Sequence, residues 1–258
     1  MSETSNRSIA LSVVVPVFNE ADNVRPLIEE IVAALRGVTA FEIVYVDDSS
    51  RDTTPDVLRE SLQFYPELRV LRHQKQSGQS TAVRSGVRAA KGQWIATLDG
   101  DGQNDPADIP KLLAARDGAD DRHKLFAGWR VERRDSGSKR WASRWANRIR
   151  SRMLRDETPD TGCGIKLFER AAFLDLPYFD HMHRYLPALM QRAGWKTQSV
   201  PVNHRERSTG ESKYNNWGRA MAGISDLRGV AWLIRRSKVT GIDEVVLEKD
   251  SAGAQADR

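Results

Sequence analysis

The 258-residue chain is 40% hydrophobic and 29% charged, with 18 glycines and 10 prolines, which excludes fibrous, low-complexity and disordered classes and allows a sizeable core. Its 40 Lys and Arg outnumber its 35 Asp and Glu by 5, pointing to an anionic partner: nucleic acid, an acidic membrane surface or a phosphorylated substrate. One cysteine, Cys163, excludes an internal disulfide framework, and neither a signal-peptide core nor an apolar run of about 18 residues is present, so the cytoplasm is the expected compartment.

Residues 1–8 are polar and expected to be flexible. Leu11–Phe18 (LSVVVPVF) is a β-branched run that predicts a buried strand. Ala21–Arg36 places Val24, Leu27, Ile28, Ile31, Val32 and Leu35 at helical spacing, with Gly37 suited to its end. Phe41–Val46 predicts a second strand, followed by the turn-rich DDSSRDTTP. Thr54 with Pro55 opens a helix expected to reach about Tyr65. Leu68–Arg72 predicts a third strand, Ser80–Ala90 a helix, Trp94–Leu98 a fourth strand and Leu125–Trp129 a fifth. Such alternation implies right-handed crossovers and a mostly parallel, Rossmann-like sheet flanked by helices, with ligands beyond the carboxyl ends of the strands.

From Arg130 to Arg155 the pattern becomes irregular, with ten Lys or Arg against two acids around Trp141 and Trp145; a membrane-docking surface, a dimer surface and a solvated helix all fit it. Trp217, Met221, Ile224, Leu227, Ala231 and Ile234 recur at helical spacing among Arg219, Arg228, Arg235 and Arg236. Residues 215–240 thus read as a basic amphipathic helical segment, either lying at an anionic membrane interface or packed on its own domain. Residues 241–258 form a polar tail.

Three polar clusters fall at predicted strand ends: Asn19-Glu20, Asp47-Asp48-Ser49-Ser50 and Asp99-Gly100-Asp101-Gly102-Gln103. One cluster is an ordinary turn, and Asp-x-Asp alone is common. Three on one rim describe a site. Asp99 and Asp101 can face a single hard cation such as Mg²⁺ or Mn²⁺, Gly100 lets a ligand approach the backbone, and Gln103 can add a neutral oxygen. One aspartate of the Asp47-Asp48 pair can accept hydrogen bonds from a nucleobase or ribose. No G-x-G-x-x-G follows the first strand and no P-loop is present, which removes dinucleotide binding and P-loop hydrolysis.

Five stretches in order, VVVPVFNE (Val13–Glu20), VDDSSRDTT (Val46–Thr54), LDGDGQNDP (Leu98–Pro106), DTGCGIKLF (Asp160–Phe168) and RSTGESKY (Arg207–Tyr214), resemble the family-2 glycosyltransferases of the GT-A fold. The likeness is closer to dolichol-phosphate mannosyltransferases and bacterial polyprenyl-phosphate glycosyltransferases. It implies a catalytic domain over residues 9–214 in which Pro16, Phe18, Glu20, Val46 and Asp48 contact the nucleotide of a nucleotide-sugar. Where the family usually has tyrosine, Phe18 retains stacking and lacks the hydroxyl. Asp99, Asp101 and Gln103 would hold the metal and diphosphate, and Arg130, Arg207 and Lys213 would meet phosphate charge from donor and acceptor.

The implied reaction is inverting transfer of a mannose- or glucose-type hexose to a polyprenyl phosphate, whose oxygen is anionic near neutral pH and needs no strong base. Asp105 and Asp160 are then candidates for orienting the acceptor or relaying a proton, and Arg184, in HMHRYLP, for contact on the acceptor side. A saccharide or protein hydroxyl as acceptor is the first alternative. Nucleic-acid binding explains the charge but not the three acidic clusters, which repel a phosphate backbone. His181 and His183 lack zinc spacing, and Cys163 lacks the context of a nucleophile.

Overall fold

The computed structural model describes residues 9–130, 150–156, 158–203, 205 and 216–240, with side chains of the last stretch described from 223 onward. Its strands are β1 (Leu11–Val17), β2 (Phe41–Asp47), β3 (Leu68–Arg72), β4 (Trp94–Thr97), β5 (His123–Arg130), β6 (Lys166–Glu169) and β7 (Lys196–Val202). Its helices are α1 (Ala21–Leu35), α2 (Thr54–Ser61), α3 (Gln79–Ala89), α4 (Ile109–Asp117), α5 (Arg170–Leu174), α6 (Leu186–Arg192) and α7 (Asn216–Arg236). The expected five strands form where the apolar runs lie. The helix expected to reach Tyr65 ends at Ser61 instead, and residues 62–64 continue as turns ahead of Pro66.

One sheet orders the strands β3-β2-β1-β4-β6-β5-β7. β1 pairs in parallel with β2 and β4, β2 with β3, and β5 with β7. β6 alone runs against its neighbours, with Thr97 opposite Lys166 on one side and Ala127 opposite Lys166 on the other. Sequence reasoning missed β6 and β7. β6 has four residues, and β7 alternates exposed and half-buried positions rather than forming an apolar run.

Each face of the sheet carries helices. α1, α2 and α4 cover one face, where Leu27, Ile28, Ile31, Leu58, Ile109 and Leu112 bury against Val13, Val15, Ile43 and Tyr45. α3, α5, α6 and α7 cover the other, over Val14, Val44, Val46, Ile95 and Phe168. Gly86 lets α3 sit directly on β1 and β2, since a Cβ there would lie 2.4 Å from Val14 Cγ1. Burying a leucine or isoleucine in these layers contributes about 2 kcal/mol.

At the strands' amino ends, Glu42 is almost fully buried and accepts hydrogen bonds from Ser12 Oγ (2.6 Å), the Lys91 N–H (2.6 Å) and Arg69 (2.6 Å). Burial raises its pKa, but these donors outweigh burial and the net shift is downward. On the opposite, carboxyl-end rim, a 3₁₀ turn at Met182–Arg184 packs against the start of α3, where His183 Nδ1 lies 2.7 Å from Ser80 Oγ. Burial first, and then the positive charges of Lys166, Arg184 and His181, push the His183 imidazole down to about 3.

Two outcomes follow from these buried groups. Glu42→Gln leaves Arg69 without its counter-charge and should destabilise the fold by about 2–4 kcal/mol in urea unfolding. His183 stays neutral in the fold, whereas the unfolded chain protonates its histidine near 6.5, so this stability is present above about 6.5 and is lost as pH falls toward 3. Between pH 7 and pH 5 the native protein should lose about 2 kcal/mol more than His183→Gln measured in parallel.

Candidate active site

The carboxyl ends of β1, β2 and β4 converge on one rim, and their loops are tied together. Asn19, at φ 54°, donates its N–H to Ser50 Oγ and accepts from the Arg51 N–H through its side chain. The Glu20 N–H donates to Thr54 Oγ1, while the Glu20 carboxylate accepts from Asn23. Asp47 accepts from the Ser50 N–H, and its second oxygen sits 3.2 Å from Arg72 Nε in an ion pair without hydrogen-bond alignment. Phe18 and Glu20 are half-buried at this rim, and Pro16 lines the cavity described below.

Val46 and Asp48 are placed differently from surface nucleotide contacts. Val46 is completely buried against α3. The Asp48 carboxylate accepts from the Ser77 and Gly78 N–H groups and lies 2.7 Å from His73 Nδ1, whose Nε2 reaches Ser85 Oγ at 2.9 Å. Asp48 thus anchors the loop between β3 and α3. Sequence reading could not supply these partners, which come from after the next strand.

Asp99, Gly100 and Asp101 follow β4. A Cβ on Gly100 would lie 2.4 Å from Val17 Cγ1, so glycine lets this loop press against the end of β1. Asp99 is fixed from three sides. Its N–H donates to Asn104 Oδ1, its carboxylate accepts from Gln79 Nε2 at 2.8 Å, and Gly164 packs so closely that a Cβ there would lie 2.1 Å from Asp99 Oδ2. Asp101 accepts from the Gln103 N–H. Desolvation first, then the Asp101 carboxylate, pushes Asp99 above the usual carboxylate range, with Lys166, Gln79 and Arg130 opposing.

A carboxylate raised by burial and by a second carboxylate beside it is the kind of corner a divalent cation would suit. Among the described residues no group of three or more His, Cys, Asp or Glu could hold an ion, and a cation held by Asp99 and Asp101 would need further oxygens from elsewhere. The residues present fit Mg²⁺ or Mn²⁺ in that form.

β6 brings the Asp160–Phe168 stretch to the same rim. Because β6 is antiparallel, its first residues lie where β4 ends, and Thr97 Oγ1 donates to the Gly164 carbonyl at 3.0 Å. Asp160 and Arg130, expected to act separately, form a bidentate pair: Arg130 Nε to Oδ2 at 2.6 Å and Nη2 to Oδ1 at 2.9 Å. The Gly162 N–H also donates to Asp160. This pair holds Arg130 above its ordinary pKa, with burial opposing. Asp105 caps the short turn before α4 through the Ala107 N–H and accepts from Arg205 at 2.8 Å; Arg205 also reaches Glu30 at 2.6 Å. Arg207 and Lys213 lie outside the described residues.

A cavity of about 300 Å³ opens under this rim, bordered by Asp99, Gln79, Lys166, His183, Arg184 and Gly162 among others. Sequence reasoning missed Lys166, which is almost fully buried and donates to the Cys163 carbonyl. Burial lowers its pKa, while Cys163, Asp99 and Asp160 raise it. The available signal was a lysine between Ile165 and Leu167 in a core strand.

Comparison with known proteins matches this architecture. The chain is 34% identical over 244 residues to a dodecaprenyl-phosphate galacturonate synthase of Rhizobium johnstonii, covering 89% of this chain and 68% of that one. It is 34% identical over 207 residues to an undecaprenyl-phosphate 4-deoxy-4-formamido-L-arabinose transferase of Edwardsiella ictaluri, covering 79% and 62%. The chain thus spans about two thirds of these relatives' length. Among solved structures, a mannosyltransferase of Pyrobaculum calidifontis in complex with GDP-Man and Mn²⁺ superposes with a TM-score of 0.65 at 21% identity, over 91% of this chain and 67% of that one. A glucosyl-3-phosphoglycerate synthase of Mycobacterium tuberculosis with Mn²⁺ and UDP gives 0.65 at 16%, over 91% and 82%. These likenesses show the GT-A fold. The family model for glycosyl transferase family 2 matches residues 12–176, well over half the chain, and the chain belongs to that family.

Proposed function

We propose that this protein transfers a hexose from a nucleoside diphosphate to a polyprenyl phosphate with inversion at the anomeric carbon. The observation that carries the reading is Asp99 at the end of β4, held by Gln79, Asn104 and Gly164 in the wall of a cavity of about 300 Å³, with Asp101 two residues further along. The printed names of the two similar proteins, both polyprenyl-phosphate sugar transferases, support the acceptor class. Those names differ in the sugar, so the likeness does not carry the sugar's identity.

A divalent cation, when bound, supplies positive charge against the departing diphosphate. Asp99 and Asp101 would hold it. The nucleoside would lie across the ends of β1 and β2, near Phe18 and Glu20, with the Pro16 region leading into the cavity. Asp48 would act by fixing the β3–α3 loop beneath the nucleoside. The Arg130–Asp160 pair would present a guanidinium edge to phosphate while Asp160 remains ion-paired, which suits an anionic acceptor that needs no base. Asp105, held by Arg205, would keep the acidic loop in register rather than relay protons.

α7 gives the membrane reading a definite surface. Leu227, Val230, Ala231, Leu233 and Ile234 pack on the domain, while Ile224 and Trp232 are about half exposed. Arg228, Arg235, Arg236 and Lys238 are exposed beside them, with Arg236 5.9 Å from the Trp232 ring. One face is core and the other is basic with an aromatic anchor, as expected for an anionic interface. Among the described residues no helix is long and apolar enough to cross a membrane.

Incubation with labelled nucleotide-sugars, Mn²⁺ and undecaprenyl phosphate should move label into the organic phase, and Asp101→Asn should reduce that transfer at least about a thousandfold without changing unfolding midpoints. Label transferred instead to a saccharide, with no dependence on lipid phosphate, would favour the hydroxyl-acceptor alternative. For α7, the triple change Arg228→Glu, Trp232→Ala, Arg235→Glu should weaken flotation with anionic vesicles at least about tenfold, each basic residue near the surface being worth about 1 kcal/mol. Unchanged flotation would remove the interfacial assignment.

A further inference from the structure

We propose that His181 and Asp226 are positioning residues: their pair braces the Met182–Arg184 turn against α7 and so holds the Arg184 guanidinium in the cavity wall, where it meets phosphate oxygens of a substrate. This rests on the transferase reading above and adds to it the residues that fix one wall of the cavity.

The turn is too short to fix its own shape. Its backbone closes two bonds over three residues, from the Arg184 N–H to the His181 carbonyl (3.1 Å) and from the Tyr185 N–H to the Met182 carbonyl (2.9 Å). Side chains sling it between two helices. Toward α3, His183 Nδ1 lies 2.7 Å from Ser80 Oγ, and the hydroxyl of Tyr178, just before the turn, lies 2.7 Å from Thr81 Oγ1. Toward α7, His181 Nδ1 lies 3.0 Å from Asp226 Oδ2, and the Tyr185 hydroxyl donates to the Gly223 carbonyl at 3.3 Å. His181 adopts φ 63°, in the left-handed region that favours glycine, so a histidine here carries a backbone cost. What the imidazole supplies in return is its contact with α7.

Asp226 is the second sign. Leu227, Val230, Ala231 and Ile234 form the inward stripe of α7, and Asp226 stands beside them with its side chain 21% exposed. A leucine in its place would bury more apolar area, and a half-buried ion pair adds little net stability over such packing. A pair at this place fixes direction. His181 is also the residue whose carbonyl accepts the Arg184 N–H, so the brace reaches Arg184 through one backbone bond.

Arg184 is the group worth aiming. It is half-buried and borders the cavity together with Asp99 and Lys166. Among the described residues its side chain has neither a carboxylate at ion-pair distance nor a hydrogen-bond partner, whereas Arg130 pairs with Asp160 and Arg150 with Asp156. A guanidinium fork without a counter-charge, at a cavity of this kind, matches phosphate oxygens, which both substrates of the proposed reaction carry. An arginine side chain has about 2 kcal/mol of rotamer entropy, so a braced backbone beneath it lowers the ordering cost of the contact. Arg228, Trp232 and Arg235 point away from this brace on the exposed face of α7, which makes the brace separable from membrane contact.

The test is calorimetric binding to the whole protein, with geranyl phosphate as the acceptor probe and Mn²⁺ with UDP or GDP as the donor probe. Arg184→Gln should weaken one probe at least about tenfold; which one tells whether the acceptor or the donor phosphate meets the guanidinium. Asp226→Asn should weaken the same probe at least about fivefold, with unfolding midpoints retained. His181→Gly should do likewise, since glycine adopts φ 63° without strain. In an Arg184→Gln background neither change should weaken that probe further. Wild-type affinity for the Arg184-dependent probe in Asp226→Asn or His181→Gly overturns the brace. So does an equal loss with and without Arg184, the mark of a merely structural role. Normal binding of both probes by Arg184→Gln overturns the phosphate contact. A wild-type protein that binds neither probe contradicts the proposed function, and this inference with it.

Discussion

The site depends on one strand pairing, the antiparallel ladder that sets Lys166 opposite Thr97. Parallel strands deliver their carboxyl ends to one rim, so loops after β1, β2 and β4 meet there by default. In a parallel β6 the Asp160–Ile165 segment, which precedes the strand, would lie on the opposite rim. Reversal of the strand instead brings Thr161–Lys166 beneath Asp99. Gly164 then abuts the Asp99 carboxylate with no room for a Cβ, and Lys166 closes the cavity from below. The Asp99 corner and the cavity thus share a single wall.

Around that wall the chain uses charge in two ways. Some pairs are mutual and rigid: Arg130 with Asp160, Asp48 with His73 and the 77–78 backbone, and Arg205 between Glu30 and Asp105. They fix loops, and a buried pair of this kind is costly to break from one side. Other groups face the cavity: Asp99 is raised by burial and by the neighbouring Asp101 carboxylate, while Lys166 and Arg184 have no carboxylate at ion-pair distance among the described residues.

Much of this was legible in the sequence, for physical reasons. β1, β2 and β4 are largely apolar runs because both faces of the sheet are covered there, and the acidic clusters stand out against them. The Asp-x-Asp corner stood out only because two other polar clusters fall at neighbouring strand ends, since the tripeptide alone is a common turn. β6 was hidden inside a motif read as a loop, and with it the contribution of Lys166. The pairing of Arg130 with Asp160 spans thirty residues and needed the β5–β6 register to be seen. Asp48 illustrates the limit of rim reasoning: its position is as expected, but its carboxylate is taken up by the β3–α3 loop. For α7, periodicity gave an amphipathic helix without saying which face was core; the packing assigns Leu227, Val230 and Ile234 inward and leaves Trp232 outward.

The central proposal is that Asp99 and Asp101 would together hold a divalent cation that supplies positive charge against the diphosphate. The most direct measurement is anomalous scattering at the manganese edge from crystals soaked with Mn²⁺ and a nucleoside diphosphate. A single peak bound by both carboxylates and by the diphosphate is the predicted result. A diphosphate bound with no peak at that corner, and Asp99 still held by Gln79 alone, would contradict the account.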